Sequence, residues 1–557
     1  MLIDAESLDN DAVLKADVTV VGAGAAGIVI ALELSRAGLE VNLIESGGPA
    51  YSPRVQALAD AVKFDPAVHP PMNECTRRQL GGTSVIWGGR VVPFDPVDFD
   101  DRPHIPHSRW PIDYATLEPF FVRTCAYLHA GHPEFDIRKL PGVTQTSIVP
   151  GLSDGDVLSS TLERWSVMNF GRVYADGLKD APRLKLFHGL TCTEIACPQG
   201  EDRVECIHAR ALSGKQVRLQ SRRYVLAAGG LNTTRLLLAS DRVHAGGIGN
   251  HSGMLGRFYT GHVSGRIAEV QFSTPPRATV FGFDRDAEGV YARRRFSFTR
   301  DFQHRAKLPN IVSWLVNSEI SDPAHGNGIL SFAYLILSSP LGKFLASEAI
   351  RKSAVKGEKH GSVASHVLNM VRDLPRTAVF IPTFGYKRYL AQRKVPGFFQ
   401  YSRSNIYNLH YFGEGIPSPD SRVTLADERD EMGLRRLNID LRYCEQDVRG
   451  VLDAHRHWDE HLRRNNCGQL RYIAGDLEQS IRDQVGDGFH QVGTTRMSRH
   501  PSDGVVTPDC NVHGFDDLFI ASSSTCVTAS QANSMFQILA LSLRIADRLK
   551  GELVARG

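Results

Sequence analysis

The sequence predicts an α/β plus α+β chain, in which a discontinuous Rossmann-like dinucleotide-binding domain is joined to a substrate domain built on an antiparallel sheet. Three observations predict it. From Asp17 to Glu45 a β-branched run meets a glycine turn, a helical stretch and a second short strand, which is a βαβ unit. Two further strand-then-helix signals lie far downstream, at 224–240 and 517–549. Between about 255 and 480 the pattern changes to alternating segments (VSGRIAEVQFS, YARRRFSFTR, SRVTLADE), which suggest antiparallel strands forming one wall of a substrate pocket. The expected division is 1–254 for the dinucleotide domain with loop and helical insertions, 255–480 for the substrate domain, and 481–557 for the return to the first domain.

Within the first unit, Val18 to Val21 leads into Gly22-Ala23-Gly24-Ala25-Ala26-Gly27, the helix runs to Ala37, Gly38 stops it, and Val41 to Ile44 ends at an acid. Gly22 permits the tight turn, Gly24 lets backbone approach a pyrophosphate, and Gly27 allows helix and strand to pack closely. The helix start adds N–H groups and a partial positive charge. Glu45 stands eighteen residues after Gly27, where an acid bonds ribose hydroxyls and repels a 2′-phosphate. The unit therefore favours FAD or NAD over NADP.

A second constellation, Gly81-Gly82-Thr83-Ser84-Val85-Ile86-Trp87-Gly88-Gly89, reads either as a surface loop or as backbone lining a flat ring or phosphates. A third is His490 in HQVGTTRM, with Asn533 forty-three residues on. His490 reads either as a packed loop residue or as a base suited to taking a proton from an alcohol near neutral pH. Spacing alone does not bring His490 and Asn533 together.

Composition narrows the class. Of 557 residues, 42% are hydrophobic and 22% charged, so a disordered or fibrous chain is not expected. A net charge of +3 gives no reason to expect nucleic acid as a partner. Nine cysteines without a Cys-x-x-Cys pair suggest neither a zinc site nor a disulfide framework, and hence no metal and a reducing compartment. No apolar run opens the chain and none suffices for a membrane span, so a soluble, cytoplasmic protein is expected. The segment Leu341 to Phe399 is helical in pattern and strongly basic. It is expected to be a solvated cap, with a membrane-surface or partner-binding helix pair as the alternative.

Taken together, the first βαβ unit, GGTSVIWGG, AAGGLNTTRLLL, HQVGTTRMS, GVVTPDCNVHG and the terminal helix resemble the glucose–methanol–choline (GMC) oxidoreductases. The tryptophan in GGTSVIWGG and the PDSRVTLADERDEMGL stretch resemble the branch of pyranose oxidases and bacterial glycoside oxidases or dehydrogenases. The resemblance implies an FAD-binding domain in which Gly22, Gly24, Ala25, Ala26, Gly27 and Glu45 hold the ADP half. Cys192, Ala228 and Gly229 would lie near the adenine, and Gly81, Gly82, Thr83, Ser84 and Gly88 would line the pyrophosphate and ring. Ser523, Ser534 and Met535 would contact the flavin. His490 would be the catalytic histidine and Asn533 its partner. Where fungal pyranose oxidases carry a histidine bonded to FAD, this chain has Ile86, which implies noncovalent FAD.

The implied activity is oxidation of a hydroxyl on a sugar, glycoside or sugar-like polyol, by proton abstraction at His490 and hydride transfer to flavin N5. The electrons would pass on to molecular oxygen or another acceptor. The alternatives are a redox-neutral lyase or isomerase on the same scaffold, or a flavin-holding partner protein. Substrate contacts at His262, Asn405, His410 and Tyr411 and an oligomeric state remain open.

Overall fold

The computed structural model describes residues 1–345 and 362–554. One layer is an eight-stranded sheet with a parallel core. Its strands run Leu2–Asp4, Leu184–His188, Val41–Glu45, Ala12–Val21 and Gln216–Leu226, and continue antiparallel through Cys206–Ala211 to Leu190–Ala196. Leu518–Ile520 returns from the far end of the chain and pairs, parallel, with the upper half of Gln216–Leu226. In the register Val21 faces both Ile44 and Leu226, and Ile520 faces Leu226. The carboxyl ends of four strands are thereby level, which opens a crevice of the kind that binds ligands in parallel α/β sheets.

The local causes are visible in the first unit. Every residue of Val41–Glu45 is buried, as expected for a parallel strand covered on both faces. Helix Ala25–Arg36 is buried on nearly all sides because Met535–Val554 packs along it. It ends at Gly38, whose φ of +89° suits the left-handed cap. Gly27 sets the approach of this helix to the strand before it: a Cβ there would lie 1.9 Å from the Gly22 carbonyl oxygen.

The second layer is an antiparallel sheet ordered Gly468–Tyr472, His262–Phe272, Ile406–Glu414, Ile311–Val316, Tyr291–Phe298, Val157–Trp165 and Arg90–Val91. The alternating runs at 263–273 and 291–298 are strands of this sheet. The run at 422–429 is not. It pairs with Arg435–Asp440 as a separate two-stranded ribbon against helix Gly230–Ala239, on the dinucleotide side. Arg90–Val91 and Val157–Trp165 fall inside the span 1–254, yet they close one edge of the antiparallel sheet. They carry Arg90 and Glu163, whose buried charges need partners that this sheet supplies.

All nine cysteines are unpaired, and no helix among the described residues is long and apolar enough to cross a membrane. Of the segment 341–399, residues 346–361 lie outside the described residues. The remainder forms Gly342–Leu345, Val363–Arg372, Leu374–Gly385 and the turn that follows it.

The packing at Gly27 makes a prediction. Gly27→Ala forces backbone against backbone and should cost about 2–3 kcal/mol, read as a lowered Tm or insoluble protein. Gly48→Ala, where a Cβ meets nothing within 4 Å, should stay within about 0.5 kcal/mol of wild type. Equal melting of the two variants would contradict the account of this contact.

Candidate active site

One elongated cavity of about 760 Å³ runs from the carboxyl ends of the parallel strands to the loop ahead of the last helix. At its first end the backbone is stripped of side chains. The Gly24 and Gly81 backbones form a β-bridge, the Gly81 N–H donates to the Ala23 carbonyl at 2.9 Å, and a Cβ on Gly82 would lie 2.9 Å from Gly24 Cα. A Cβ on Gly24 would meet no protein atom closer than 3.9 Å, so its missing side chain serves the cavity rather than the fold. Glu45 is fully buried beside this turn and accepts from the Ala23 N–H at 2.9 Å and the Gly47 N–H at 2.8 Å. Burial nevertheless pushes its carboxyl up to about 7. A hydroxyl donor from a ligand would relieve that penalty.

Gly22, Gly24, Ala25, Ala26, Glu45, Gly82, Thr83, Ser84, Gly88, Cys192, Ala228, Gly229, Ser523, Ser534, Met535, His490 and Asn533 all line the cavity. Gly27 and Gly81 do not; they lie beneath it and fix the backbone. Two hydroxyls are already engaged by protein: Ser84 Oγ donates to the Gly81 carbonyl at 2.6 Å, and Ser523 Oγ donates to the Gln491 carbonyl at 2.7 Å. Ser534 and Met535 stand at the N-terminus of Met535–Val554, where unpaired N–H groups favour negative charge. Arg78 was missed by the sequence reading. It lines the cavity near Glu45, donates to Ser46 Oγ at 2.9 Å and Asn232 Oδ1 at 2.8 Å, and leaves its buried Nε without a partner. Adjacent to the glycine loop, it had no pattern of its own to reveal it.

A glycine cradle at a helix start, a buried acid with bonding capacity left, and an orphaned guanidinium N–H fit the ADP portion of a dinucleotide. Ile86 and Trp87 carry the lining on toward His490.

At the other end His490 and Asn533 meet. Asn533 Nδ2 donates to His490 Nε2 at 2.8 Å. Two flanking groups fix this arrangement. Asp487 Oδ2 accepts Nδ1–H from both His490 and His262, each at 2.8 Å, while its Oδ1 accepts the N–H of Phe489 at 2.8 Å and of His490 at 3.2 Å. Burial alone would raise the Asp487 carboxyl, but the two imidazoles outweigh it and hold it well below the usual carboxylate range. A charged Asp487 keeps the His490 proton on Nδ1 and leaves Nε2 as an acceptor. On the other side Arg90 Nη1 donates to Asn533 Oδ1 at 3.0 Å. Arg90 has only donors, so the amide oxygen must face it and the NH₂ must face His490.

Arg90 belongs to a buried charge cluster. It pairs with Glu163, which also accepts from Arg293 Nε at 2.6 Å, and Arg295 Nη1 donates to Gln531 Oε1 at 2.6 Å. The guanidinium of Arg90 lies 5.1 Å from the Trp314 ring and 5.3 Å from Phe412. Of the four open substrate candidates, His262 lies beside His490, 4.6 Å ring to ring, but is fully buried off the cavity wall with its ring nitrogens bonded to Asp487 and the Ala532 carbonyl. His410 is half-buried against Trp314, 4.9 Å ring to ring. Tyr411 points to the opposite face of its strand, against His455, and Asn405 holds a turn through Thr279 and the Thr274 carbonyl.

His262, Asp487 and His490 are also the one trio among the described residues with metal-ligand spacing. A metal ion would have to displace the two Nδ1–H bonds that Asp487 Oδ2 already accepts.

Residues 417–542 match the family model described as GMC oxidoreductase, and residues 20–70 match an NAD(P)-binding Rossmann-like domain. The chain is 21% identical to the 2-methyl-1,2-propanediol dehydrogenase of Mycolicibacterium austroafricanum, across 96% of this chain and 95% of that one. It is 26% identical to the paromamine 6'-oxidase of Streptomyces fradiae, over 49% of this chain and 58% of that one. Among solved structures, pyridoxine 4-oxidase from Mesorbium loti superposes with a TM-score of 0.55 at 16% identity, covering 96% of this chain and 98% of that one. A formate oxidase gives 0.55 at 14% identity, covering 98% and 100%. The crevice, the glycine cradle and the His490–Asn533 pair thus stand in a chain that is similar to the GMC oxidoreductases, a family of FAD-dependent alcohol-oxidising enzymes, and that matches their family model over residues 417–542.

Proposed function

We propose that this protein oxidises a hydroxyl of a sugar, glycoside or sugar-like polyol to a carbonyl, with FAD held noncovalently. The observation that carries the reading is the convergence of His490 Nε2 and Asn533 Nδ2, 2.8 Å apart, at the end of a cavity that begins in a dinucleotide cradle. Relatives named for a diol and for paromamine support a polyhydroxylated substrate.

The division of labour follows from the side chains. Gly22, Gly24, Glu45, Arg78, Gly82 and the helix start at Ser534–Met535 would hold the cofactor. FAD, when bound, supplies a two-electron acceptor for the hydride leaving the carbinol carbon. Ile86 offers no nucleophile, and the Cys192 thiol, pushed up to about 12 by burial, is not a thiolate, so neither favours a covalent tether. A substrate hydroxyl placed against Asn533 Nδ2–H gives its proton to His490 Nε2, and the buried Arg90 behind Asn533 favours the negative charge that develops on that oxygen. Asp487 steadies the imidazolium that results and prevents the wrong tautomer. Phe489 and Trp87, both on the cavity wall, offer apolar faces to a sugar ring.

Two substitutions test these roles. His490→Ala should keep its FAD while substrate-driven loss of the flavin absorbance slows by about 10²–10⁴-fold; a wild-type rate would remove His490 as the base. In Asp487→Asn an amide N–H facing Nδ1 would drive the His490 proton to Nε2. A loss on the order of 10²–10⁴-fold with unchanged FAD content is expected, with partial recovery in Asp487→Glu. Full activity in Asp487→Asn would show that this carboxylate does not set the tautomer.

A further inference from the structure

Large apolar side chains are exposed in one region far more than elsewhere. Of the 24 exposed large hydrophobics among the described residues, 12 lie between Leu341 and Leu390. Phe344 is 87% exposed, Leu390 77%, Val379 69%, Val363 64% and Val371 62%. They follow helical spacing. On Val363–Arg372 the exposed Val363, Val367 and Val371 recur every fourth residue, while His366 and Asn369 face inward and bond to Ser331. Beyond it, Val379, Tyr386 and Leu390 continue an outward stripe, and the Tyr389 hydroxyl donates to the Leu345 carbonyl at 2.9 Å, which ties the short Phe344 helix to the same lobe.

The described part of this lobe is almost wholly cationic. Across the described residues 328–345 and 362–400, Asp373 is the sole acid, and it is half-buried at the Gly328 N–H. Arg372, Arg376, Lys387 and Lys394 are exposed beside the apolar stripe. A surface with this composition is costly in water, since a monomer rarely leaves so large an apolar patch uncovered. A second copy of this chain would set like charges against each other across a two-fold axis. An anionic bilayer surface satisfies both features: acyl chains and the interface take Phe344, Val371, Val379 and Leu390, Tyr386 and Tyr389 suit the headgroup level, and the cations meet lipid phosphates.

We propose that the exposed face of Val363–Arg372, Leu374–Gly385 and the turn to Leu390, with Phe344 beside it, docks this enzyme on an anionic lipid surface, lying in the interface without spanning it. The FAD-loaded full chain should sediment with vesicles of phosphatidylglycerol and phosphatidylcholine at low salt. It should sediment far less with phosphatidylcholine alone or in high salt. Removing each exposed Lys or Arg should lower partitioning on the order of fivefold, so a triple variant R372E/R376E/K387E should stay in the supernatant. V371E/V379E should do the same, and both variants should turn over soluble substrate at the wild-type rate, since neither touches the cavity. Equal partitioning of wild type and variants would overturn the proposal. So would absence of vesicle binding together with concentration-dependent self-association that V371E/V379E abolishes, which would assign the face to a second copy. Binding only to an acidic protein, with vesicles left free, would likewise overturn it.

Discussion

Asp487 accepts from the Nδ1–H groups of two histidines and from three backbone N–H groups, of Phe489 and His490 in its own turn and of His262 on the antiparallel sheet. Without that carboxylate His490 has no reason to present its Nε2 lone pair to the cavity, and the His490–Asn533 pair loses its direction. The interaction is local in sequence, three residues apart, but its second histidine comes from the antiparallel sheet. It therefore reports whether the two layers have met correctly. A buried carboxylate with two imidazole donors is stable only in that closed arrangement, since exposure to a lone partner would leave it under-bonded in a low-dielectric setting.

Asn533 depends in the same way on the opposite edge of the sheet. Arg90, Glu163, Arg293 and Arg295 are all buried, and their shared bonds reach Gln531 and Asn533 just ahead of the last helix. Taking away Glu163 would leave Arg90 and Arg293 buried and charged without their shared carboxylate, at a cost of about 3–5 kcal/mol. The cluster thus holds the Asn533 amide from behind. In the proposed reaction it would also place a cation where negative charge develops during proton transfer. Orientation and electrostatics come from the same residues.

Much of the dinucleotide half was legible in the sequence, because its physics is local. A strand, a glycine turn, a helix and an acid at fixed spacing leave few other structures open, and the returning strand Leu518–Ile520 showed itself as a short apolar run before a long amphipathic helix. The substrate half was legible only as alternation. Arg293, Arg294 and Arg295 stand consecutively in a strand whose every residue is buried, where composition alone would place them in water. Val157–Trp165 carries no clean alternation, and Arg90–Val91 is two residues long, so neither announced its sheet. The ribbon at 422–440 looked like a wall of the substrate pocket, yet it packs on the other side, because a period of two specifies a strand and not its partner. Asp487 had no motif around it; its meaning came from a histidine 225 residues away.

The most direct test of the whole account is anaerobic absorbance of the FAD-loaded protein during titration with sugars, glycosides, polyols and simple alcohols, followed by admission of air. The account predicts that a polyhydroxylated substrate abolishes the flavin band in wild type at a rate that collapses in His490→Ala. Recovery in air then tells whether oxygen or another acceptor completes the cycle. A protein that binds no flavin, or one whose band is lost equally fast without His490, would contradict it.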